Sequence, residues 1–139
     1  MLMIPEASFR CANLEHPVTL EQRYDLAMSL EVAEHLPEEA ADTLVDSLCK
    51  VADVIIFSAA HPGQGGDHHI NEQPVEYWEE KFAHHGYVPI QVKQYFPKEH
   101  SRIETWYKEN IILFVKQGRN DEIEARIRER LGGRQPEDK

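Results

Sequence analysis

Between residues 37 and 50 the apolar residues Ala40, Ala41, Leu44, Val45 and Leu48 recur at intervals of three and four, which predicts an amphipathic helix. Pro37 opens it, and Glu38 and Glu39 occupy the first turn, where the helix dipole favours acids. The period then changes. Residues 51–60 contain the run VIIF, continuous, β-branched and aromatic, which predicts a parallel strand buried on both faces. Helical spacing returns over 75–85, with Trp78, Phe82 and, less regularly, Val75 as the inward stripe and Gly86 as the stop. Shorter strands are predicted at 8–14 (SFRCANL) and 24–30 (YDLAMSL), on either side of a His16-Pro17 break. Two more fall at 87–96 (YVPIQVKQYF) and 110–117 (NIILFVKQ), joined by a polar connection carrying Trp106 and Tyr107. A charged helix over 121–131 is closed by Gly132 and Gly133, and residues 134–139 read as a frayed tail.

Strands alternating with helices predict an α/β sheet with parallel strands, and two successive strands near the end predict an antiparallel pair at one side of it. A chain of 139 residues suits one sizeable core. Residues 1–117 form that domain in this reading, and 118–139 are an appended charged helix and tail.

Composition narrows the function classes. No apolar run approaches the ~20 residues needed to span a bilayer, and the opening MLMIPEASFR lacks a basic, then apolar, leader pattern, so a cytoplasmic protein with no membrane partner is expected. Cys11 and Cys49 are far apart and fit neither a CxxC pair nor a disulfide framework, which agrees with a reducing compartment. The formal charge of -10 repels phosphate backbones, and the arginines of the last helix (Arg119, Arg126, Arg128, Arg130, with Arg134 beyond) are interspersed with acids. Nucleic acid is therefore not an expected partner.

Two segments carry candidate chemistry. Residues 61–74 (HPGQGGDHHINEQP) pack three glycines, two prolines and three histidines into one connection, long for a compact domain and so expected to be functional. Glu31, Glu34 and His35 place two carboxylates and an imidazole at spacings of three and one, a donor set that suits Mg, Mn, Fe or Zn if the turn brings them together. Without a metal, His35 or His69 could act as a general base, since imidazole titrates near neutrality. His61, His84, His85 and His100 read as surface or loop residues, and Tyr77 and Trp78 as helix packing.

The acid-containing strand Tyr24-Asp25-Leu26, the E-x-x-E-H turn of Glu31, Glu34 and His35, the following helix, the buried VIIF strand and the loop GQGGDHHINEQP stand in the order found in the second half of class I S-adenosylmethionine (SAM)-dependent methyltransferases. The chain resembles that family over residues 8–117. The resemblance implies a Rossmann-like sheet, amino-terminally truncated, ending in an antiparallel strand pair, with SAM as cofactor. It implies that Asn13 and Leu14, at the end of the strand over 8–14, flank the donor's adenine, and that Glu31 contributes to the donor pocket. In members with a metal-holding E-x-x-E-H turn, a later histidine completes the ion's ligands; here the set would be Glu31, Glu34, His35 and His69, with His68 the alternative to His69. The family's first strand, glycine-rich turn and ribose-binding acid would precede Ile4, and the loop Gly63-Gln64-Gly65-Gly66 follows a later strand and does not replace them.

The expected function is thus SAM-dependent methyl transfer, most simply to an oxygen of a small molecule or glycan, impaired in isolation by the lacking donor-binding motif. The alternative is a non-catalytic interaction module on the same scaffold. Losing the first strand would strip a neighbour from the strand at 24–30, and its free edge would favour a homo-oligomer or a partner chain.

Overall fold

The computed structural model describes residues 3–96 and 103–131. Their sheet has four strands, β1 (Ala27–Leu30), β2 (Val54–Ser58), β3 (Tyr87–Ile90) and β4 (Ile112–Lys116), in the order β1-β2-β4-β3. β1 and β2 are parallel, while β4 runs antiparallel to both β2 and β3, giving the expected antiparallel pair at one side. The helices are α1 (Ala41–Val51), α2 (Val75–His84), a short α3 (Thr105–Asn110) and α4 (Asn120–Leu131).

The period-two pattern of β2 and β4 divides the core. Ile55 and Phe57 of β2, with Ile112 and Phe114 of β4, enter one cluster with Leu44, Val45, Trp78 and Phe82 of α1 and α2. Val54, Ile56, Leu113 and Val115 turn the other way, onto Ile123 and Ile127 of α4. Strands covered on both faces need unbroken apolar runs, and VIIF and IILFV supply them. Phe82 stacks on Phe114 with ring centroids 3.9 Å apart, and Phe57 packs edge-on against Phe82 at 5.4 Å. The Tyr87 hydroxyl reaches the carbonyls of Cys49 and Ala52 at 2.9 and 2.6 Å, tying β3 to the end of α1, where helix carbonyls lack partners. Burial pushes both the Tyr87 phenol and the Cys49 thiol up to about 12.

The chain departs from expectation in three places. Residues 8–14 do not form a strand: Glu6–Ser8 is a 3₁₀ turn, the backbone beyond it is irregular and Phe9 is half exposed. Strand propensity is realised only against a neighbour and a buried face; among the described residues β1 ends the sheet with no strand beside it here, and of this segment only Leu14 reaches the core. The strand over 87–96 stops at Ile90 and passes into a 3₁₀ turn at Lys93–Tyr95. The polar connection contains α3, whose six residues carry too few apolar positions to show a period. The Gly132-Gly133 stop, the tail with Arg134, and His100 lie outside the described residues.

Candidate metal centre and its surroundings

Parallel α/β sheets place their sites at the carboxyl ends of the strands, and both candidate segments meet there. After Leu30 the chain turns sharply: Glu31 adopts φ 52°, and its N–H donates to the Ser58 carbonyl at 3.0 Å, coupling the ends of β1 and β2. A 3₁₀ turn over Ala33–His35 then carries Glu34 inward. The Glu34 carbonyl accepts the N–H groups of Ile70 and Asn71 at 2.9 and 3.1 Å, so the β1–α1 turn and the β2–α2 loop are stitched together at this residue.

Glu34 is fully buried, and neither carboxylate oxygen has a hydrogen-bond partner among the described residues. An unpaired buried carboxylate is costly. Burial raises its pKa, the nearby Glu31 raises it further, and the Glu34 backbone, His35 and His69 pull the other way. One ligand atom from each of Glu34, His35 and His69 falls within 4.8 Å of the others. The two rings stand edge to face with centroids 4.9 Å apart.

Each imidazole is oriented through Nδ1. His35 Nδ1 lies 3.2 Å from the His68 carbonyl, which can only accept, so Nδ1 carries the proton. His69 Nδ1 lies 3.0 Å from Glu72 Oε1. Glu72 also accepts the N–H groups of Gly63 and Gly65 at 2.8 Å each, and its pKa is lowered first by the His69 hydrogen bond and then by these amides. An ionised acceptor makes His69 Nδ1 the donor as well. With Nδ1 so engaged, Nε2 is the nitrogen through which each ring would ligate a metal, and carboxylate-to-histidine support of this kind commonly accompanies ligation.

His69, not His68, brings its ring into this group. His68 takes up φ 58°, contributes its carbonyl and leaves its side chain 87% exposed. Glu31 stands beside the group and outside the three-residue cluster. Its carboxylate accepts Asn110 Nδ2 at 3.2 and 3.4 Å and Gln64 Nε2 at 3.3 Å, and Asn110 also donates to Gln64 Oε1 at 2.8 Å. Asn13 is exposed and closes a local turn, its Oδ1 accepting the Glu15 N–H at 3.0 Å, while Leu14 packs on the larger core cluster.

Glu72, Gly66, Gln64 and Asn110 are the residues that sequence reasoning missed. A Cβ at Gly66 would lie 2.4 Å from His69 Nε2, so only glycine leaves room for that ring. The glycine cluster was the signal: Gly63 and Gly65 donate to Glu72, and Gly66 makes room for His69. The ligand set fits a divalent ion: a carboxylate whose oxygens have no protein partner among the described residues, with two imidazoles, suits Zn, Fe or Mn.

No protein-family model matches the chain, and no curated relative does. Among solved structures, the magnesium protoporphyrin IX methyltransferase of Synechocystis with bound SAH superposes with a TM-score of 0.54 at 17% identity, over 76% of this chain and 49% of that one. The methyltransferase domain of a bacterial Hen1, CtHen1-CN, gives a TM-score of 0.49 at 18% identity, over 81% of this chain and 65% of that one. The architecture is that of the class I SAM-dependent methyltransferase fold, and the chain spans about half the length of the Synechocystis structure it matches.

Proposed function

We propose that this chain carries the metal-holding, acceptor-activating part of a SAM-dependent methyltransferase site, acting on a hydroxyl of a small molecule or glycan. The observation that carries the reading is the buried, partnerless Glu34 carboxylate facing two imidazoles whose Nδ1 atoms are already engaged. A pure packing role would leave this carboxyl without a partner in either protonation state, at a cost of about 1–3 kcal/mol even when neutral. A cation relieves it. When bound, a divalent ion at such a site supplies Lewis acidity that lowers the pKa of an acceptor hydroxyl. Glu34, His35 and His69 would hold it, Glu72 and the His68 carbonyl fix the rings, and Gly66 keeps the approach to His69 open. The acidic balance of the chain supports an uncharged acceptor over a nucleic acid.

The test is calorimetry on the purified chain with Zn2+ and Mn2+, followed by SAM on the metal-loaded form. One saturable metal site, lost in Glu34→Gln, supports the reading. A folded chain that takes up neither ion refutes it.

A second reading, a partner-binding module, is favoured by one feature. β1 pairs only with β2 among the described residues, and Leu26, just before it, and Met28, within it, are 46% and 65% exposed. Unguarded edges recruit further strands. Light scattering across a concentration series would detect self-association through it.

A further inference from the structure

The turn after β1 holds two acids three residues apart, and the fold treats their carboxylates in opposite ways. Glu34 has no partner for either oxygen among the described residues and faces His35 and His69. Glu31 is fully engaged. Gln64 Nε2, from the β2–α2 loop, donates to its Oε2 at 3.3 Å, and Asn110 Nδ2, at the end of α3, donates to Oε1 and Oε2 at 3.2 and 3.4 Å. Asn110 Nδ2 also donates to Gln64 Oε1 at 2.8 Å, so the three side chains close a ring that uses both protons of the Asn110 amide. The Glu31 backbone is held as well, its N–H shared between the Ser58 carbonyl at 3.0 Å and the Ser58 hydroxyl at 3.1 Å. Its φ of 52° is a left-handed conformation that glycine or asparagine adopts at lower cost. A glutamate kept at such a position points to a use for its carboxylate.

We propose that Gln64 and Asn110 are positioning residues that hold the Glu31 carboxylate outside the coordination sphere, so that among the described residues Glu34, His35 and His69 alone ligate the ion and its remaining positions stay open. This rests on the metal-holding reading above. The E-x-x-E-H resemblance implies Glu31 as a further ligand, and the hydrogen-bond ring is what separates this chain from that expectation. To reach the ion, Glu31 would break charge-assisted hydrogen bonds to two part-buried amides and leave Gln64 Nε2 and one Asn110 proton without this acceptor. Glu34 breaks nothing. Held outside, Glu31 still acts through space: its charge bears on Glu34, and a second carboxylate beside the cluster attracts a dication without occupying a coordination position. Open positions are what an acceptor hydroxyl requires in order to meet the ion.

The experiment titrates Co2+ into the full chain, with affinity read by calorimetry and the ligand set by the d–d absorption bands, which change in position and intensity when a protein ligand is added. Glu31→Gln is expected to lower Co2+ affinity only several-fold and to leave the bands as they are, whereas Glu34→Gln lowers affinity by at least about 100-fold. Gln64→Ala combined with Asn110→Ala frees Glu31 to join the ion. Affinity is then expected to rise several-fold and the bands to change, and adding Glu31→Gln to that pair is expected to cancel both effects. Circular dichroism matching wild type shows that each variant is folded; should the paired variant not fold, Asn110→Ala and Gln64→Ala are read singly by the same criteria. A Glu31→Gln variant with altered bands, or with an affinity as low as that of Glu34→Gln, makes Glu31 a direct ligand and overturns the proposal. Unchanged bands and affinity on removing the two amides, or changes that persist without the Glu31 carboxylate, overturn the positioning role. Failure of folded wild type to take up Co2+ overturns the metal-holding reading itself, a result distinct from either of these.

Discussion

The two halves of β2 live in different chemistry. Along its length Ile55 and Phe57 are 0% and 1% exposed, with α1 and α2 on one side and β4 alongside, and the packing there is apolar apart from the Trp78 indole N–H and the Ser29 hydroxyl. At its carboxyl end the chain meets β1, the Glu31 turn and the histidine loop, and there a buried carboxylate has no partner, two residues take left-handed backbone, and a glycine is required by a neighbouring ring. The middle is what stability alone would select. The end is costly on the same criterion, and polar strain of this kind collects at functional sites. The comparison can be broken by showing that the end behaves like the middle.

The largest effect is expected in the middle. Phe114→Ala removes a ring stacked on Phe82 and edge-on to Phe57, and should destabilise by about 3–5 kcal/mol, read by urea unfolding. At the site the currency changes from stability to affinity. Glu34→Gln should lower Zn2+ affinity by at least about 100-fold, because it removes the one anionic ligand of the cluster. Glu72→Gln should cost about 10–100-fold by loosening His69, with unfolding nearly unchanged. Gly66→Ala should act in the same direction by pushing the His69 ring aside. The smallest effect belongs to the surface: Lys50→Ala breaks an exposed i,i+4 pair with Asp46 and should cost about 0.3–0.5 kcal/mol or less.

Acidity gives a further handle. The folded-state pKa of Glu34 is raised, so in metal-free protein its contribution to stability is fully present below the ordinary carboxyl value of 4.5 and is lost as pH rises through the folded value. Metal-free stability should therefore decline with rising pH over that window, and Glu34→Gln should flatten the decline. Within the same window, metal uptake should release a proton, measurable as a buffer-dependent heat.

How much of this was legible in the sequence follows the same division. α1, α2, β2 and β4 were readable because their apolar residues are spaced for burial and nothing competes with them. The strand over 8–14 was misread because strand formation depends on a neighbour that local sequence cannot supply, and α3 because six mostly polar residues show no period. Glu34, His35 and His69 were nameable as ligand types, but their convergence depends on the loop bonds of Ile70 and Asn71 to the Glu34 carbonyl, a contact between residues 36 and 37 positions apart. Glu72 and Asn110 carried no local mark, since an acid in a loop and an asparagine before a strand are ordinary until the fold sets them against His69 and Glu31.

The most direct test of the central claim is a pair of thermal melts at pH 7.5, wild type against Glu34→Gln, each in chelator and in excess Zn2+. If Glu34 is a metal ligand carried at a cost to the empty fold, Glu34→Gln melts higher than wild type in chelator and lower in Zn2+, so the order reverses. An order that is the same in both conditions would contradict the account.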